Sequence, residues 1–237
     1  MAASFLLLAS FLFQDDKAAE EAIERFKATF NKTPTPEGRA AAVSDLARTP
    51  HERTMKVLIP FLTGDFPKVR EAAAKGLGDF ADYKKVVTPQ MIGALSAPAN
   101  AKEIDVRCAI LTGLGKLKDP IAFDAIHRAF RDECVKVAKA AIAAAGAMRQ
   151  KESMDVLLEL QRDVQKWIKQ KQGGGYRDDK GQQGDEGAQK TRLEDLQKDV
   201  IKAFQSITKE KWVTAQEWEL WWSKKKSTFE VPKEAAK

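Results

Sequence analysis

The stretch "VRCAILTGLG", Val106 to Gly115, has near copies in "VREAAAKGLG", Val69 to Gly78, and "VAKAAIAAAG", Val137 to Gly146. Aligned on Val69, Val106 and Val137, the three phrases place Ala72, Ala109 and Ala140 three residues later. Gly78, Gly115 and Gly146 close them nine residues later. Offsets 0, 3, 4, 7 and 8 fall on one face of a helix at 100° per residue. "RAAAVSDLA", starting at Arg39, repeats the pattern with Leu46 in the place of Leu77. The segment around Ala203 follows it more loosely. A period of roughly 30–40 residues with paired helices is the signature of an α-solenoid, in which stacking buries a face that one pair alone exposes. The fold expected is all-α, about five antiparallel helix pairs. Small residues would let helices approach closely, and each closing glycine is expected to leave its helix in the left-handed conformation.

Composition agrees. The 237 residues are 43% hydrophobic, too apolar for a disordered chain. Alanine is abundant and hairpin signals are missing, which favours helix. The net charge of +6 arises from 40 basic and 34 acidic residues. Their interspersion reads as solvated helix faces and not as a nucleic-acid footprint. Helices are expected at 16–30, from Pro36, and at 52–62, 67–80, 89–97, 103–117, 120–130, 133–148, 153–171, 191–207 and from 214 onward. Thr49 with Glu52, and Thr214 with Glu217, read as capping boxes. Pro36, Pro67 and Pro89 read as first-turn prolines. Residues 172–189, rich in Gly, Gln and charge, read as a mobile loop. The domain plan is an apolar segment at 1–14, helical repeats over 15–208, and a C-terminal capping helix with tail over 209–237.

"DFPKVREAAAKGLGDFAD" and "DVRCAILTGLGKLKDPIAFDAIHRAFRD" resemble HEAT repeats, especially the short phycobilin-lyase-type HEAT-like class. The Val-Arg start, the Leu-Gly end, Asp119-Pro120 and Asp132 carry the likeness. The resemblance implies an armadillo-like array with a concave binding surface. It also implies that Arg39, Arg70 and Arg107, at one shared offset, form a structural ladder to acidic residues such as Asp65 and Asp105. Ala138 and Ile201 stand where further arginines would extend it.

The candidate partner surface is the strip at offsets 2 and 6: Glu71, Lys75, Cys108, Thr112, Lys139 and Lys202. There the repeats stop agreeing. Trp218, Trp221 and Trp222, spaced i, i+3, i+4, project to one side with Trp212 nearby. They read as an end cap, with an aromatic ligand platform as the alternative. Catalytic, cofactor and metal residues are not expected. His51 and His127 lack ligand neighbours. Asp178, Asp179, Asp185 and Glu186 lack calcium-loop spacing. Cys108 and Cys134 are read as thiols too far apart to bridge. "NKT" at Asn31 is a glycosylation triplet.

The expected function is a non-enzymatic, monomeric protein- or peptide-binding scaffold. The alternatives are nucleic-acid binding and, on the resemblance alone, phycobilin-lyase chemistry. The run Phe5 to Phe13 is too short for a membrane span and has the length of a signal-peptide core. Export to a periplasmic or secreted location is therefore expected, with the cytoplasm as the alternative.

Overall fold

The computed structural model describes residues 2–172 and 186–233, with side chains described for 16–166 and 195–233. Among the described residues there are helices and no strands. The chain divides into two compact units, Met1–Ala122 and Phe123–Lys237.

The first unit holds three helix pairs: α1 (Ala2–Lys32) with α2 (Pro36–Leu46), α3 (Glu52–Leu58) with α4 (Pro67–Leu77), and α5 (Lys84–Ser96) with α6 (Ile104–Leu117). The second helices form the stack: α2 packs on α4, and α4 on α6. Their repeated positions fill the core, with Val69, Ala73, Leu77, Ile110 and Leu114 wholly buried. Each large aliphatic side chain so placed contributes about 1.5–3 kcal/mol. The second unit holds α7 (Phe123–Ala129) with α8 (Val135–Met148), α9 (Ser153–Gln172) with α10 (Glu186–Thr208), and then α11 (Ala215–Lys225). Here α8 packs on α10 and α11 on α9. The architecture is all-α and of the α-solenoid class, as the periodicity predicts.

Several local expectations are corrected. The backbone of α1 is helical from Ala2, well before residue 16. The cap of α3 is His51, not Thr49. Its Nδ1 accepts from the Arg53 N–H at 3.2 Å, and the Thr54 hydroxyl accepts from the His51 N–H at 3.1 Å. Pro50 sits between Thr49 and this turn, so the hydroxyl of Thr54 takes the reciprocal role. Thr214 and Glu217 do form the expected box. Pro89 lies inside α5. It forfeits one backbone bond, while the turn ahead of it buries Val87 and Thr88 completely. Part of the expected loop at 172–189 is helical, since Gln172 belongs to α9 and residues 186–189 to α10. Residues 173–185, with Asp178, Asp179 and Asp185, lie outside the described residues.

The closing glycines are the main correction. Gly78 is right-handed (φ −61°), and Gly115 and Gly146 lie inside α6 and α8. The left-handed exits fall instead on Lys118 (φ 51°) and Arg149 (φ 53°). The glycines serve close approach. A Cβ on Gly78 would stand 2.7 Å from the Gly113 Cα, and one on Gly146 would stand 3.0 Å from the Ala203 Cα. A Cβ on Gly76 would overlap that of Ala47. The α2–α4, α4–α6 and α8–α10 seams are therefore built from small residues that let backbones approach closely.

Gly93 in α5 is the contrasting case, since a Cβ there meets nothing within 4 Å. Gly93→Ala is expected to stabilise the chain by about 0.5–1 kcal/mol, because only backbone entropy changes. A urea midpoint that does not rise would contradict this reading of α5.

Asn100 ties the second and third pairs. Its side-chain amide is fully buried and donates to the carbonyls of Leu62 and Ala94, both at 2.9 Å. Nothing in its sequence context separates it from a turn asparagine.

Candidate functional site

The strip residues divide between the two units. In the first, α4 carries Glu71 and Lys75, and its neighbour α6 carries Cys108 and Thr112. Lys75 is paired with Glu71 on its own helix. Flanking lysines are paired across helices, Lys68 with Glu37 at 2.6 Å and Lys116 with Asp79 at 2.7 Å. The Lys68 ammonium holds the Glu37 carboxyl below its ordinary range, mainly through their hydrogen bond. The centre of the strip is small and uncharged. Thr112 is exposed, its hydroxyl donating to the Cys108 carbonyl at 2.9 Å, and the Cys108 side chain is half-buried. Neither Cys108 nor Cys134 is in a disulfide.

In the second unit, Lys139 on α8 and Lys202 on α10 converge on one carboxylate. Asp199 lies 3.4 Å from Lys139 and 3.3 Å from Lys202, and Asp195 lies 3.7 Å from Lys139. The six strip residues therefore form two groups, one in each unit.

Arg39 and Arg70 fall where successive pairs meet. Arg39 reaches Asp65 at 2.8 Å and the Thr33 carbonyl at 3.1 Å, with its guanidinium 4.8 Å from the Phe30 ring centroid. Arg70, buried, reaches Glu103 at 3.5 Å. The expected partner Asp105 is replaced by Glu103 because Asp105 already lies in the first turn of α6, while Glu103 stands just ahead of it, its side chain not engaged in capping. Arg107 sits in that same first turn, half-buried. The acids stand just ahead of the next second helix, so the pairs fix register between neighbours more than they add stability.

The tryptophans face inward. Trp218 is fully buried, Trp222 is buried, Trp221 is half-buried and Trp212 is exposed. Trp218 packs at 5.0 Å on Phe204 of α10 and donates to the Trp212 carbonyl at 3.1 Å. Trp222 donates to Asp155 on α9 at 2.9 Å, and Lys226 pairs with the same carboxylate at 2.9 Å. Partial burial pushes Asp155 up, but the Trp222 and Lys226 hydrogen bonds outweigh it and hold the carboxyl below its ordinary value. Of these four, only Trp212 presents a large exposed face, which leaves little of a ligand platform. Asp155 stands 67 positions ahead of Trp222 in the chain, so sequence order gave no hint of the pairing.

His127 on α7 is enclosed by Phe123 (3.7 Å between centroids) and Phe130 (5.0 Å), with Ser153 Oγ 3.3 Å from Nε2. Burial lowers its pKa from 6.5 to about 4, partly opposed by Asp124. The folded state therefore prefers the neutral ring. The stability this gives is complete above about pH 6.5 and is lost as pH falls towards 4. Discounted for the solvent that still reaches the ring, the loss is about 1–2 kcal/mol. His127→Gln is expected to flatten the fall in urea midpoint between pH 7 and pH 5. An unchanged slope would remove His127 as its source.

Among the described residues no cluster of His, Cys, Asp and Glu is arranged to hold a metal ion, and no helix is long and apolar enough to cross a membrane. No curated protein matches the chain. Residues 92–171 match the family model described as HEAT repeats. With the stacked second helices, their glycine seams and their arginine–acid pairs, that match fits an α-solenoid in which residues 92–171 are HEAT repeats.

Proposed function

We propose that the protein is a non-enzymatic scaffold that docks a protein or peptide segment on the outward edges of α4 and α6. The pairing of every lysine along that edge supports this reading. Lys68, Lys75 and Lys116 each already hold a carboxylate. A phosphate backbone would have to break each pair and would leave an acid beside it, so nucleic acid is disfavoured. A polypeptide needs no such exchange. It meets mixed charges at the rim and a small, uncharged centre at Cys108 and Thr112, which is the layout of an ordinary protein interface.

The test is a photo-crosslinker placed at Thr112, with capture repeated on Thr112→Arg in competition. The strip reading expects a specific partner whose binding falls at least about tenfold with Thr112→Arg while the melting temperature holds. A partner indifferent to Thr112→Arg and to Lys75→Glu would place docking elsewhere. A salt-dependent mobility shift with DNA or RNA would favour the nucleic-acid alternative.

The apolar run Phe5 to Phe13 supports export as part of the same proposal, with the partner outside the cytoplasm. Sequencing the mature N-terminus tests it. A mature chain that retains Phe5 to Phe13 would argue against cleavage.

A further inference from the structure

Beyond α11 the chain folds back on the second unit. The N–H groups of Thr228 and Phe229 both donate to the Lys225 carbonyl, at 3.0 and 2.8 Å, closing the helix. Residues 230–233 form no helix or strand. Phe229 and Val231 are half-buried, while Thr228 and Glu230 are exposed. The Phe229 ring stands edge-on to Trp221 at 5.4 Å and to Trp222 at 5.7 Å. Three residues later the Pro232 carbonyl accepts a 2.5 Å hydrogen bond from Arg149.

Arg149 is an unusual residue at its position. It follows α8 in the left-handed conformation, where glycine carries no Cβ penalty, and it is buried. Both features are costly for an arginine. What arginine supplies that glycine lacks is a guanidinium reaching a carbonyl 83 positions away. The slot thus combines aromatic walls for one side chain with a fixed donor for one backbone carbonyl. That is how many domains hold an extended peptide. The proline helps, since it fixes its own φ and keeps Val231 extended, which lowers the entropy lost on docking. The segment is held without strand pairing, and its anchoring ring is only half-buried.

We propose that Trp221, Trp222 and Arg149 form a peptide-docking site occupied in cis by residues 226–233. Its external ligand is an extended polypeptide segment with an aromatic residue three positions ahead of a proline. Binding of that segment displaces the tail. The site is distinct from the α4–α6 strip and does not depend on the function proposed for it.

The experiment uses the full chain and a fluorescein-labelled peptide of residues 226–233, read by polarisation. Phe229→Ala removes the anchor of the cis tail and opens the slot. This variant is expected to bind the peptide saturably, and the wild-type chain at least about tenfold more weakly, because the tethered tail competes. Adding Arg149→Gly to Phe229→Ala spares the backbone and removes the donor, and is expected to weaken binding about fivefold or more. A peptide with alanine in place of its phenylalanine is expected not to bind. A cooperatively folded Phe229→Ala chain without saturable binding overturns the proposal. Equal affinity for wild type and variant, or indifference to the peptide's phenylalanine, does so too. Should Phe229→Ala not fold, hydrogen exchange on the wild-type chain decides. Amides of Glu230, Val231 and Lys233 exchanging freely while α11 stays protected support a displaceable tail. Protection equal to that of α11 makes the tail a fixed part of the fold and overturns it.

Discussion

Gly113→Ala is expected to destabilise the first unit by about 1–3 kcal/mol, the usual cost of forcing an extra carbon into a packed core. The sign is the informative part. Glycine to alanine inside a helix ordinarily gains up to about 1 kcal/mol, as expected for Gly93. At Gly113 the new Cβ would stand 2.5 Å from the Met91 Cε, 2.9 Å from the Ala74 carbonyl oxygen and 3.4 Å from the Gly78 Cα. The methionine end is flexible and gives way. The α4 backbone has no such freedom, so α4 and α6 must separate. Gly78→Ala presses on the same seam from the other side, with its Cβ 2.7 Å from the Gly113 Cα. The two losses are expected to be less than additive, because one separation accommodates both methyl groups. Urea denaturation of the two single variants and the double variant checks this. A stabilised Gly113→Ala would mean that the α4–α6 contact is looser than described.

Trp218→Ala is expected to cost about 3–5 kcal/mol, the largest single loss in the second unit. The ring is fully buried, packs on Phe204 and Trp221, and has its N–H satisfied by the Trp212 carbonyl. Truncation leaves a cavity between α10 and α11 and removes one of two donors to the Trp212 carbonyl, the other being the Gln205 amide at 3.2 Å. The remaining tryptophan fluorescence should shift to the red as Trp221 and Trp222 gain solvent. Trp212→Ala, at a ring 39% exposed, is expected to cost under about 1 kcal/mol. Similar losses for the two variants would contradict the inward-facing arrangement. The pair of measurements also separates a cap from a ligand platform, since a platform would leave Trp218 exposed and dispensable for folding.

How far the candidate site was legible follows from particular residues. The offsets that place Glu71, Lys75, Cys108 and Thr112 outward are set by helical periodicity, and they emerge exposed or half-buried. The state of their charges was not legible. Pairs such as Lys116 with Asp79 join residues 37 positions apart, and these pairs count most against a phosphate ligand. Asp105 and Glu103 show the same limit at short range. Both are acids near the start of α6, and only the place where the helix begins decides which one Arg70 meets. Arg149, Asp155 and Pro232 carry no motif at all.

Sequence by itself determined the helical class, the repeat and the inward face of each second helix, because apolar periodicity is a local property of the chain. It also marked Gly78 and Gly146 as special, and it assigned them the wrong task. Glycine answers two different demands, a left-handed exit and a close helix–helix approach. The chain alone does not distinguish them. Tertiary structure decided for close approach, because α4 with α6, and α8 with α10, bury their shared faces only when small residues let the backbones meet. The left-handed exits of α6 and α8 then fell three residues beyond Gly115 and Gly146, at Lys118 and Arg149, where the added helix buries Leu117 and Met148.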